Sequence, residues 1–134
     1  MLKPQIALIT ILTDHVPRLV NFYQNMLGFD IKADSGEYVE FESPGVRFAI
    51  CARSILYGVT QHPSYQESHV GQAFELAFPL ETPQAVDDTY RELILKGATP
   101  VQTPADMPWG QHTAIFADPD GNIHELFCDL PKTN

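Results

Sequence analysis

The chain opens on an apolar run, QIALITIL (residues 5–12), that is β-rich and has little polar punctuation. The pattern then changes period. Val16, Leu19, Val20, Tyr23, Met26 and Leu27 recur at helical spacing and mark one face of a helix. Pro17 suits only the first turn of such a helix, and Gly28 stands where a helix takes a left-handed residue at its end. Three short strand patterns follow at 29–33, 38–42 and 46–52, parted by the turn-forming stretches DSGE and SPG.

The second half repeats this order. QAFELAF (72–78) reads as a strand, and Thr82-Pro83 offers an N-cap followed by proline in the first helical position. Val86, Tyr90, Leu93 and Ile94 form a second amphipathic face, closed by Gly97. Strands at 99–103, 112–117 and 122–128 complete the unit. The chain therefore reads as a single α+β domain of two βαβββ modules, about 1–52 and 72–134. The stretch 53–71 is polar, flecked with aromatics and without period, and is expected to be a linker. Each module can bury its helix against one sheet face. The two remaining faces are expected to curl together, as a mixed sheet, around a cleft with the helices outside.

Strand alternation then selects the residues that look into that cleft. Within FADPDGNIHELF (116–127), Asp118-Pro119-Asp120-Gly121 is a turn: Asp caps, Pro presets φ and Gly takes the left-handed position. In the strand after it, Ile123, Glu125 and Phe127 share a face. In the 72–78 strand, Phe74, Leu76 and Phe78 suit the helix side, while Ala73, Glu75 and Ala77 share the other. Two glutamates are thus expected in one cleft. Carboxylates about 5 Å apart repel by roughly 3 kcal/mol at an effective dielectric near 20. They must share a cation, share a proton, or pair with a base, for which Arg47 and Arg53 are the nearest candidates. A structural ion pair or polar wall, a metal site, and a proton-holding or ligand-contacting pair all remain open.

The histidines divide by position. With a two-residue turn before it, the last strand would bring His112 onto the Glu125 face; a type I turn with a bulge puts Thr113 there instead. His124 alternates onto the face opposite Glu125. His62 and His69 fall in the linker, and His15 in the first helical turn. In ADMPWGQ (105–111) the chain's single tryptophan, Trp109, sits in an ordered loop. It can lay a flat apolar wall on a ligand, close the end of the sheet, or meet a second copy.

Composition narrows the partners. A chain of 134 residues can bury a core without staples, and a mean hydropathy of -0.13 describes an ordinary globule. The net charge of -9 argues against nucleic acid and against anionic membrane surfaces. No apolar run approaches the roughly 20 residues that span a bilayer. MLKPQIALIT shows no cleavable signal pattern. Cys51 and Cys128 lie inside strand patterns and are expected to be buried, reduced thiols of a cytoplasmic protein.

Two of these stretches carry a resemblance. FYQNMLGF (22–29) after a first strand, and DPDGNIHELF near the end, resemble the vicinal-oxygen-chelate superfamily, which takes in glyoxalase I, bleomycin-resistance proteins, fosfomycin-resistance transferases and extradiol dioxygenases. The resemblance covers nearly the whole chain and includes the paired βαβββ order. It implies metal ligands from the first and last strands of each module. Carried over, these fall on Glu75 and Glu125 in the second module, and on Leu8 and Ala49 (or Ile50) in the first, where no side chain can bind a metal. Catalytic zinc or iron normally takes three protein ligands plus water, and two carboxylates alone suit a harder ion. The resemblance therefore implies two functions. One is a lyase, isomerase or dioxygenase assisted by Mg, Mn, Zn, Ni or Fe, with Glu125 as ligand and catalytic base; the loop and strand positions add Trp109, His112 and Phe127 as candidates for substrate contact. The other is a metal-free small-molecule or drug-binding protein of the resistance or sequestration kind. Two modules with open sheet edges lead to the expectation of a homodimer.

Overall fold

The first apolar run enters a sheet as β1 (Leu8–Thr13) and passes into a helical arm made of α1 (Val16–Asn21) and a π-helical turn (Phe22–Met26) in the computed structural model. His15 caps α1, its Nδ1 accepting the Arg18 N–H at 3.3 Å. The adjacent residues Phe22 and Tyr23 of the π-turn are both fully buried and, with Leu19, form the i, i+3, i+4 face that the arm turns to the core. Gly28 then ends the arm at φ 93°, as its position predicts. β2 (Ile31–Asp34), β3 (Tyr38–Phe41) and β4 (Arg47–Ala52) complete a mixed sheet in the order β1-β4-β3-β2. Tyr23 lies 5.2 Å from Phe48 and 6.3 Å from Phe41, centroid to centroid, so the helical arm docks on this sheet through aromatic rings.

The stretch expected to be a linker is ordered in part, as α2 (Arg53–Thr60) and a 3-10 turn (Pro63–Gln66). Neither buries a residue completely, which is why no strong apolar period marks them. Side chains hold their ends instead. Gln61 donates to the Tyr57 and Gly58 carbonyls, and the His62 Nδ1 accepts the Ser64 N–H at 3.2 Å.

The second unit holds β5 (Ala77–Pro79), α3 (Pro83–Leu95), β6 (Thr99–Asp106), β7 (Gln111–Ala117) and β8 (Ile123–Asp129), with sheet order β5-β8-β7-β6. The Thr82 hydroxyl caps α3 through the Ala85 N–H at 3.0 Å. Val86, Tyr90 and Leu93 form its buried face. β5 is shorter than its apolar pattern because side chains replace part of its ladder. The Leu76 N–H goes to the His124 ring, and the Gln72 amide bonds both the N–H and the carbonyl of Ile123. Phe74, expected on the helix side, is about half exposed. β6 runs past Pro100 and Pro104 because it is an edge strand, where a missing N–H is tolerated.

Residues 3–67, 71–72 and 74–132 are described; His69 and Ala73 lie outside them. The chain separates into two compact units, Met1–Val70 and Gly71–Asn134, each with one module. Cys51 and Cys128 are buried free thiols. Among the described residues no helix is long and apolar enough to cross a membrane.

The turn between β7 and β8 is built on Asp118, which is itself buried. Its carboxylate accepts the N–H groups of Asp120 and Asn122, each at 2.9 Å, and the Asn122 side-chain amide at 2.8 Å. Gly121, at φ 85°, returns its N–H to the Asp118 carbonyl at 3.0 Å. Asp118→Ala should therefore cost about 3 kcal/mol in urea denaturation, while Asp120→Ala at the exposed tip should stay within about 0.5 kcal/mol of wild type.

Candidate functional site

α3 packs on β6, β7 and β8, and alternation sorts the side chains of β8 about that contact. His124, Leu126 and Cys128 are buried, whereas Ile123, Glu125 and Phe127 on the other face are half-buried. The antiparallel register sets Ile115 opposite Glu125 and Thr113 opposite Phe127, and the parallel register sets Ala77 beside Glu125. Glu125 thus stands amid Ile115, Ile123, Phe127 and Ala77, with Thr113 as the other polar group among these strand residues. Glu75 comes alongside because the Glu125 N–H donates to the Leu76 carbonyl at 3.0 Å. Burial pushes the Glu125 carboxyl above its ordinary range, and the neighbouring Glu75 charge pushes it further. Among the described residues, no lysine, arginine or histidine forms an ion pair with either glutamate.

The two candidate bases are engaged in the first unit. Arg47 clasps Glu40 with both prongs, Nε at 3.0 Å and Nη2 at 2.7 Å. Arg53 lies 3.6 Å from Asp14. Glu40 is buried, its partner across β4 is Ala49, and the Tyr38 hydroxyl donates to it at 3.4 Å. The Arg47 bond holds the Glu40 carboxyl below its ordinary range. Sequence reasoning missed this pair, although Tyr38 and Glu40 alternate onto one face across a hairpin from Arg47.

His112 lies on the α3 side of its sheet, as the turn with a left-handed Gly121 requires. Its Nε2 is 2.7 Å from Asp87 on α3, and its Nδ1 is 2.7 Å from Asp106 on β6. These bonds, Asp87 first, raise its pKa. His124 is fully buried; its Nδ1 accepts the Leu76 N–H at 3.0 Å, and burial lowers its pKa despite Asp118 at 4.0 Å. Trp109 is 67% exposed at the tip of the β6–β7 hairpin, its indole N–H donating to Gln111. Gln111 pairs with Asp129, which is about 13 Å along β8 from Glu125. The structure therefore brings Glu75, Glu125 and Phe127 to one face, with His112 on the opposite face and Trp109 at the sheet's end.

Known proteins share this fold. The family model for the Glyoxalase/Bleomycin resistance protein/Dioxygenase superfamily matches residues 5–126. The chain belongs to this superfamily. It is similar to the uncharacterized protein YraH of Bacillus subtilis (strain 168), 28% identical over 123 residues that span 89% of this chain and 94% of that protein. Among solved structures it is similar to a glyoxalase/bleomycin resistance protein/dioxygenase from Nocardioides, with a TM-score of 0.86 and 27% identity over 100% of this chain and 89% of the other. A lactoylglutathione lyase from Agrobacterium tumefaciens shares the fold, with a TM-score of 0.73 and 19% identity over 94% of each chain.

A metal centre of the kind the superfamily resemblance implies can be tested on the donors present. Glu75 and Glu125 offer two carboxylates, and the side chains of Leu8 and Ala49 carry no donor atom. No three His, Cys, Asp or Glu of the described residues gather into a group able to hold a metal. This donor set does not fit a zinc or iron centre with three protein ligands.

The two shifted histidines impose opposite pH dependences. His112 has a raised folded pKa, so its stabilisation is full below the unfolded value of about 6.5 and is lost as pH rises through the folded value. His124 has a lowered one, so its stabilisation is full above about 6.5 and is lost as pH falls. Melting curves should show the deficit of His112→Asn shrinking between about pH 5.5 and pH 9, and the deficit of His124→Gln growing.

Proposed function

We propose that this superfamily member binds a small molecule with a cationic group, held by Glu125 and Glu75 on the sheet face turned away from α3. The observation that carries the reading is the Glu125 carboxyl, set among apolar side chains beside a second carboxylate, with Arg47 and Arg53 committed elsewhere. An ammonium group would relieve the repulsion between the two glutamates and supply the charge that the fold itself does not. Ile115, Ile123 and Phe127 give the ligand's apolar body a surface to cover. The net charge of -9 raises the local concentration of cations. A metal-assisted lyase, isomerase or dioxygenase would need a third donor that the described residues do not bring to the glutamates.

Calorimetric titration of wild type and Glu125→Gln with phenethylamine and with Mn²⁺, together with a melt of each protein, tests this reading. The raised folded pKa means that the Glu125 carboxylate weakens the fold once pH exceeds its ordinary titration range. Glu125→Gln should therefore melt at or above wild type near neutral pH while amine binding falls at least about tenfold, or about 1.4 kcal/mol. Equal amine binding in both proteins with a lower melting temperature for the variant would make Glu125 a structural carboxylate. Binding of Mn²⁺ but not of the amine would return the site to metal chemistry.

A further inference from the structure

On the α3 side of the second sheet, away from Glu125, the helix and the edge strand β6 leave a groove between them. Asp87, Tyr90, Arg91, Ile94 and Leu95 recur at i, i+3, i+4, i+7 and i+8, one stripe along α3. With Pro104 of β6 they line an open groove of about 430 Å³, within the roughly 300–1,000 Å³ of small-molecule sites. The gap has a local cause. β6 slips register on β7 between Pro100 and Gln102 and again between Gln102 and Ala105, and a strand bends where it bulges. Pro104 has no N–H with which to rejoin the ladder.

The two charged residues of the groove are committed to different degrees. Asp87 stands 2.7 Å from the His112 Nε2, and the raised pKa of His112 favours its charged form, so that carboxylate is already matched. Arg91 is exposed and makes one hydrogen bond among the described residues, from Nη1 to Asp88 at 3.4 Å. An exposed pair of this kind contributes little, and a guanidinium has five N–H groups to offer. One turn further along α3 the lining is apolar: Leu95 is 82% exposed, and Ile94 and Pro104 are half-buried. His112 also ties the two walls together, since Asp87 lies on α3 and Asp106, 2.7 Å from its Nδ1, on β6. The groove is thus held open without a ligand, and occupying it needs no rearrangement of the walls.

We propose that this groove binds a linear aliphatic carboxylate, its head group on the Arg91 guanidinium and its chain along Ile94, Leu95 and Pro104. A carboxylate matches the guanidinium fork and can accept two parallel bonds from it. The chain covers apolar surface that the folded protein leaves in water. An amine head group would meet Arg91 as a like charge and find Asp87 already bonded. The net charge of -9 disfavours anions at long range, but it is screened beyond about 10 Å in 0.1 M salt, so Arg91 governs the head group. The groove lies on the opposite side of the sheet from Glu125 and takes the opposite charge. Neither reading depends on the other.

The test is an NMR titration of the full chain, labelled with nitrogen-15, with octanoate, hexanoate, octan-1-ol and octylamine. Octanoate should bind at least about fivefold more tightly than octan-1-ol, the worth of one charge-assisted hydrogen bond. It should exceed hexanoate by at least about threefold, for two partly covered methylenes. The backbone amides of Tyr90, Ile94, Leu95 and Ala105 should shift most. Arg91→Gln should bring octanoate down to the affinity of octan-1-ol and leave octan-1-ol unchanged, whereas Leu95→Ser should weaken both. Both side chains are exposed, so the two variants should melt with the wild type. The proposal is overturned by an octanoate affinity that Arg91→Gln does not change, or by octylamine binding in the groove as tightly as octanoate. Shifts centred elsewhere, or no saturable response to octanoate, overturn it equally.

Discussion

Which way each residue of β8 points is settled before the strand begins, at the turn formed by Asp118 to Gly121. A strand's side chains alternate with a period of two, so one residue more or fewer in that turn would exchange its faces. Asp118 fixes the count by accepting three hydrogen bonds from the turn and from Asn122. With the register so fixed, His124, Leu126 and Cys128 pack toward α3, and His124 reaches across to the Leu76 N–H. Glu125 is left on the other face, beside the chain segment that carries Glu75. The carboxylate within the strand thus follows from the turn ahead of it.

The two units share one architecture and put a glutamate on the corresponding side of their sheets, with opposite electrostatic results. Glu40 lies on the face of its sheet away from Phe41 and Phe48, which pack on the helical arm. There Arg47 satisfies it and holds its carboxyl low. Glu125 receives no such partner from the described residues, and its carboxyl is pushed high by burial and by Glu75. A ligand's charge would gain little at the first site, where the fold has already supplied a counter-ion. It would gain most at the second.

Features set by neighbours in sequence were legible in advance. The βαβββ order, the Thr82 cap, the left-handed Gly28 and the hairpin turn each depend on a few consecutive residues. What escaped depends on distant partners. α2 completely buries no residue and is held at its end by Gln61. β5 lost length to Gln72 and His124, whose side chains take backbone groups that a ladder would otherwise pair. The Asp87–His112–Asp106 bridge joins a helix to two strands and has no local signature. Thr113 was placed on the correct face by turn chemistry alone, but the isolation of its hydroxyl emerges only when every neighbour is in position.

The central claim is that Glu125 sits in a desolvated, like-charged setting, and its own titration tests that most directly. Carbon-13 NMR of the side-chain carboxyl can follow Glu125 through pH in wild type and in Glu75→Gln. The account predicts a wild-type midpoint above the ordinary glutamate value of about 4.3. In Glu75→Gln the midpoint should fall but stay above that value, because burial is the larger cause. An ordinary midpoint in wild type, or one that does not respond to Glu75→Gln, would contradict it.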